Sequence, residues 1–299
     1  AYMADLDEAL WKVGVFATTK HNEVAPAQHE MAPVFSTTNI STDQNELAME
    51  VMEKVALKHG LVCLLHEKPF RGTNGSGKHH NYSLMTDDGI NLTSAALCRT
   101  AMVEAAKRGT LLSFHEEEPS LVPSPGVNYG SEAAKHFGVP GAMASAESAM
   151  IGRDIALALD TGARVLFQHV SSAQSVALIR AGKAMGAKIY AEVTPHHLSL
   201  TEDDVPAHGT YARMNPPLRK EADRQALIAA LSDGTLDMVA TDHAPHTAEE
   251  KAREFAKAPS GITGLETAFS VCNTYLVQTG KLTPMQLVDR MSKAPAEIY

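Results

Sequence analysis

Residues 163–171 read ARVLFQHVS, a short continuous apolar run that ends in a histidine. An unalternated run of this kind suits a strand covered on both faces. A helical pattern over 143–160 precedes it, and the same order recurs. A helix over 93–108 leads to TLLSFHEE, one over 171–185 to AKIYAEVTPHH, and one over 221–232 to LDMVATDHAPH. Four helix-then-strand units predict a parallel α/β sheet, with closing helices over 264–279 and 283–293. Each strand finishes in a metal-capable group: His115, His169, His196/His197 and Asp242. In parallel α/β folds the active site gathers at the C-terminal strand ends. Imidazole with carboxylate there suits a divalent transition metal such as zinc. One histidine so placed is more often a satisfied structural residue; repetition on several strand ends turns the reading to a metal site.

Upstream the rhythm differs. Residues 1–13 predict a helix, and VGVFATT (13–19) and EMAPVFS (30–36) predict short strands around a polar segment. Residues 42–59 predict an amphipathic helix with Leu47, Ala48, Val51, Met52 and Val55 on one face, Thr42 as its cap and Gly60 as its stop. LVCLLHE (61–67) reads as a buried strand, KPFRGTNGSGK (68–78) as a loop and HHNYSLM (79–85) as an alternating strand. Gly72, Gly77 and Lys78 fit the phosphate-loop spacing, but His79 stands where a magnesium-binding hydroxyl is needed. A strand pattern follows, so no helix N-terminus faces a phosphate.

The 299 residues are 44% hydrophobic and 20% charged, as in soluble globular proteins. A net charge of −9 without a basic stripe argues against nucleic acid. No apolar run approaches the ~18 residues that span a membrane, so small-molecule substrates are the expected partners. Cys63, Cys98 and Cys272 are too scattered for a disulfide framework or a CxxC zinc pattern, and a reducing cytoplasm is the expected location. No signal peptide is visible. The opening AYMADLDEAL, without an initiating Met, reads as part of a longer chain.

DDG, SFHEEEPSLV, FQHVSS, AEVTPHHLSLTEDD, MNPPLRKEADRQAL, ATDHAPHT and SGITGLETA together resemble the class I dihydroorotases, within the amidohydrolase superfamily of (β/α)8 TIM barrels. The resemblance spans residues 86–299, and TPHH with MNPPLR favours dihydroorotases over hydantoinases and allantoinases. It implies an α/β fold, the C-terminal half of that barrel, as a domain over 87–299. By resemblance Asp88, the second Asp of DDG, is the carboxylate that bridges two metals. His115 and His169 are metal ligands, Asp242 touches the metal and shuttles the proton, and Asn215 and His246 contact substrate. The cofactor implied is Zn2+. The reaction implied is metal-assisted hydrolysis of a cyclic amide, interconverting dihydroorotate and N-carbamoyl-aspartate in pyrimidine biosynthesis. The family's first-strand His-x-His-x-Arg has no counterpart here. His79 and His80 are adjacent and in a strand point to opposite faces. Four of the eight barrel strands are not found, and neither is an early-strand Asn that contacts substrate.

KHNEVAPAQHEMAPVF, a helix, and then KHGLVCLLHEKPFRGTNGSGKHHNYSL resemble type III glutamine synthetase over residues 1–92. This implies an α+β fragment of that catalytic domain over 1–86. By resemblance Glu23 and Glu30 bind Mg2+ or Mn2+ near glutamate, and His79 binds a second ion near the ATP phosphates. Asn74 and Gly75 line the glutamate site; Asn81 and Ser83 lie near the nucleotide. Taken alone, Glu23 and Glu30 read as a solvated charged hairpin. The family's earlier acidic strand, its later arginines and its remaining glutamates are not found. In the family the site also lies between subunits, and both families oligomerise.

The two resemblances overlap over Thr86–Leu92, TDDGINL, a word either family can carry. At such a word two coding sequences can be joined, by recombination or by assembly. The chain opens inside one family and stops at APAEIY, before a dihydroorotase would end. Three readings compete: a zinc hydrolase that needs no ATP, a ligase that needs ATP and magnesium, and a non-catalytic chimera. A natural bifunctional fusion would keep each domain's core and add a linker. A half barrel is expected to leave its inner sheet face and two edges bare. Against a folding stability of ~5–15 kcal/mol, such a chain is expected to aggregate or fold locally, with weak or no activity.

Overall fold

The computed structural model describes residues 2–22, 29–33, 38–65 and 92–299. They belong to two compact units, Ala1–Asn81 and Tyr82–Tyr299.

The first unit contains α1 (Tyr2–Lys12), an antiparallel pair β1 (Ala17–Asn22) and β2 (His29–Pro33), and α2 (Thr38–Lys58). Leu6 and Leu10 of α1, one helical turn apart, bury against Ala48 and Val55 of α2 together with Val15. Three local expectations are corrected. The first strand starts at Ala17 because Val13 and Gly14 close the end of α1, with the Val13 and Val15 N–H groups donating to Leu10 O. Thr42 lies inside α2, so it cannot cap that helix. Leu61–Leu65 forms no strand, and Leu61, Val62, Leu64 and Leu65 are exposed. An apolar run becomes a strand only when another strand pairs with it, and none does so among the described residues. Gly60 does end α2, at φ +68°.

The second unit follows the helix-then-strand rhythm. Its elements begin with α3 (Ala95–Arg108), β3 (Leu111–Phe114), α4 (Glu132–Phe137), α5 (Ala144–Thr161), β4 (Arg164–Phe167), α6 (Ala173–Ala184) and β5 (Ile189–Val193). There follow α7 (Pro195–Ser199), α8 (Val205–His208), α9 (Glu221–Asp233), β6 (Met238–Val239), α10 (Ala248–Lys251), α11 (Ala268–Cys272), α12 (Pro284–Val288) and α13 (Ala294–Ile298). The four strands form one parallel sheet in the order β3-β4-β5-β6. Side-chain alternation splits its faces. Leu112, Phe114, Val165, Phe167, Ile189, Ala191, Val193 and Val239 join a core with Met102 of α3, Ile151 and Ile155 of α5, Ile179 of α6 and Leu227 of α9. This is the parallel α/β architecture expected of half a (β/α)8 barrel.

The opposite face is not bare at its lower end, contrary to the expectation. Leu166 and Met238 are buried there with Ile298 of α13, flanked by Leu111 and Tyr190. Arg164 ties that helix down by donating to Ile298 O at 2.6 Å. The closing helices break into shorter pieces: α11 continues as a π-helical turn over Asn273–Val277, and α12 as another over Asp289–Lys293. No described helix is long and apolar enough to cross a membrane.

Candidate metal centre

The register aligns Phe114 with Phe167, Phe167 with Ala191, and Val193 with Val239. The C-terminal strand ends therefore lie side by side. His115 follows β3, His169 lies just beyond β4, and both are buried. Their rings meet edge to face at 4.7 Å, with His115 Nδ1 2.9 Å from His169 Nε2. The outer nitrogens, His115 Nε2 and His169 Nδ1, are buried without a hydrogen-bond partner. Burial pushes His169 well below the ordinary imidazole range, and the His115 and His197 rings add to the shift. A neutral ring keeps a lone pair available for a metal.

His169 adopts φ +33° and Asp242, just after β6, φ +47°; among the described residues they are the non-glycine residues with positive φ. Backbone strain of this kind persists where the surroundings over-determine it, and it concentrates at functional sites. Both residues were predicted from their strand-end positions. Glu192, on β5, was not singled out. Its Oε1 accepts from the His169 N–H at 3.4 Å. Burial raises its carboxyl to about 7; the His169 N–H opposes the rise and the charge of Asp242 adds to it. The sequence signal was available in IYAEV, where the strand's alternation turns Glu192 to the face opposite Ala191 and Val193.

The two histidines of α7 differ. His197 is fully engaged, with its ring nitrogens 2.7 Å from Thr194 Oγ1 and 3.1 Å from Pro216 O. His196 is buried with Nε2 unpartnered, and burial lowers it to about 3, aided by His169. Of the expected substrate contacts, Asn215 has its Oδ1 buried without a partner. His246 Nε2 lies 2.8 Å from Ser260 O and so donates to it, while Nδ1 lies 3.9 Å from Glu250 Oε2. Gly261 cannot carry a side chain: its φ is +100°, and an added Cβ would stand 2.6 Å from Ala244 Cβ.

Among the described residues no group of three or more His, Cys, Asp or Glu gathers closely enough to hold a metal. The structure thus brings His115 and His169 together. Asp88, Glu23, Asn74, Gly75, His79, Asn81 and Ser83 lie outside the described residues, and Glu30 sits on β2 opposite His21. The facing nitrogens do fit a divalent cation. Two imidazole nitrogens that share a tetrahedral zinc at about 2.0–2.1 Å stand about 3.3 Å apart, close to the 2.9 Å seen here.

A family model of the glutamine synthetase catalytic domain matches residues 1–110. A dihydroorotase of Clostridioides difficile is 52% identical over 214 residues, covering 72% of this chain and 51% of that protein. One from Brevibacillus brevis is 48% identical over 217 residues, covering 72% and 51%. Segments of the chain thus resemble two families. The matches together exceed its 299 residues, so they overlap. The chain spans about half the length of the curated dihydroorotases it matches. The L-hydantoinase (dihydropyrimidinase) of Arthrobacter aurescens superposes with a TM-score of 0.62 at 26% identity, covering 72% of this chain and 49% of that one. The D-hydantoinase of a Thermus species gives 0.58 at 23%, covering 77% and 48%. The dihydroorotase-like segment therefore has the amidohydrolase fold.

Proposed function

We propose that residues 87–299 are the C-terminal half of a dihydroorotase-type, metal-dependent cyclic amide hydrolase, acting on dihydroorotate and N-carbamoyl-aspartate in pyrimidine biosynthesis. The observation that carries this is the facing pair of buried imidazoles on adjacent strand ends, His115 and His169. These two would hold zinc, with Asp88 and Asp242 as the remaining ligands. The chemistry supplied at these residues by zinc would be Lewis acidity that makes hydroxide available near neutral pH. Asp242 accepts a proton at its carboxylate as the ring carbonyl is attacked and returns it to the leaving nitrogen. Asn215 and His246 orient the ring. The site works well below the level of a complete enzyme, because no His-x-His exists among the chain's 14 histidines.

A second reading rests on the match over residues 1–110: a glutamine synthetase-type ligase segment over 1–86 that would use ATP and Mg2+ or Mn2+. It carries part of a site that its family completes with residues not found here, so we infer no ligase turnover. The third reading, a non-catalytic chimera, predicts neither activity. The free thiols Cys63, Cys98 and Cys272 support a cytoplasmic setting. The test is turnover by the purified chain in two assays: dihydroorotate with zinc, and glutamate with ammonia, ATP and magnesium. Weak zinc-dependent ring opening that His169→Ala removes is expected. Full dihydroorotase turnover, or activity that needs ATP, contradicts the reading.

A further inference from the structure

The loop that carries His169 is held by carboxylates from three elements. Every N–H from Gln168 to Ala173 finds an acceptor. Gln168 donates to Phe114 O and Val170 to Glu192 O, both at 2.9 Å. His169 donates to the Glu192 carboxylate at 3.4 Å. Ser171 and Ser172 donate to the two oxygens of Glu147 at 3.0 and 3.2 Å, and Ala173 donates to Asp223 at 2.9 Å. The Ser171 and Ser172 hydroxyls also donate to Glu147, so this one carboxylate takes both groups of both serines.

Glu147 sits in the first turn of α5, is 3% exposed, and belongs to no part of the reacting centre described above. Beyond Ser171 stands Arg219, 4% exposed. It donates to Ser171 Oγ at 3.2 Å, and to Asn128 Oδ1 and Ala142 O at 2.7 Å each. The Glu147 charge thus meets its counter-charge through a serine hydroxyl, away from solvent, where such networks enforce one geometry. A left-handed conformation is unfavourable for a residue such as histidine. Two carboxylates grip the loop at and after His169: Glu192 at its own N–H, and Glu147 two and three residues later.

We propose that Glu147 is a positioning residue: by gripping Ser171 and Ser172 it holds His169 in its left-handed conformation and aims Nε2 at His115 Nδ1. The proposal rests on the reading of these two histidines as a metal pair. Glu147→Gln keeps the size but turns an amide NH2 toward N–H and O–H donors, so half of the grip is lost. Two readouts test it on the full chain. The first is the 15N imidazole signals of the metal-free protein, which report the His115–His169 hydrogen bond. The second is Co2+ affinity and visible spectrum.

The expected result is loss of the paired imidazole signature and about 10–100-fold weaker Co2+ binding, as for other residues that orient a metal ligand. Should Glu147→Gln unfold, Ser171→Ala removes one hydroxyl and is expected to weaken Co2+ about fivefold. Unchanged imidazole signals and Co2+ affinity in a folded variant overturn the proposal. His169→Ala separates it from the underlying reading. If that change leaves Co2+ binding intact, the metal-pair reading fails, while the metal-free imidazole signals still decide whether Glu147 positions His169.

Discussion

The meeting of His115 and His169 was legible because a metal-capable side chain at the end of an apolar strand is unusual, and here it recurs from strand to strand. Glu147 was not legible. An acid in the first helical turn ordinarily serves the helix dipole in solvent, and only the fold shows it turned inward to two serines. His196 and His197 are adjacent in sequence, yet one ring has two partners and the other leaves Nε2 without any. Their burial has a consequence for pH. His196 sits at about 3 in the folded metal-free protein, below the ~6.5 of an unfolded histidine. As pH falls through 6.5 the unfolded chain takes up the proton first. The stability present above pH 6.5 is therefore lost progressively toward pH 3. Between pH 7 and pH 5 the loss is about 2 kcal/mol. Urea unfolding of the metal-free protein and of His196→Gln checks this: the variant's stability should change less over that interval by about that amount, and parallel profiles would refute it.

The parallel sheet was legible at the level of elements because its strands are short, apolar and separated by helices long enough to cross back. The boundaries moved for physical reasons. Ser172, read as helical, is the N-cap of α6 and accepts from the Ser175 N–H, while β6 shrinks to two residues before the chain turns to present Asp242. The exposed run Leu61–Leu65 shows the limit: composition alone does not supply a partner strand. Helix packing supports a paired prediction. In α6, a Cβ on Gly182 would stand 2.8 Å from both Ile155 Cγ2 and Ile189 Cδ1. In α5, a Cβ on Gly152 would meet Leu178 Cδ1 at an ordinary 3.7 Å. Alanine gains ~0.5–1 kcal/mol over glycine within a helix, whereas overpacking costs ~1–3 kcal/mol. Gly152→Ala should raise the melting temperature and Gly182→Ala should lower it. Equal shifts in one direction would show that α5 and α6 do not pack this closely.

For the whole molecule, the two resemblances and the family comparisons agree that one chain carries likeness to two families. The cover that α13 lays over Leu166 and Met238 was not legible, because the five-residue segment APAEI gives no sign of which sheet face its one large apolar side chain will bury. That cover shields one end of the inner face, while β3 and β6 each pair on one side only among the described residues. A single long DNA read across the codons for Thr86–Leu92 bears on the seam. One molecule that carries both halves makes the union a property of a gene, whereas reads that each follow one family through TDDGINL place the two functions in separate proteins. The metal site is the claim on which the functional account stands. Zinc content of the purified full chain, measured beside His169→Ala, tests it most directly. The account predicts close to one zinc per chain in the parent and almost none in the variant; a zinc-free parent, or zinc retained without His169, contradicts it.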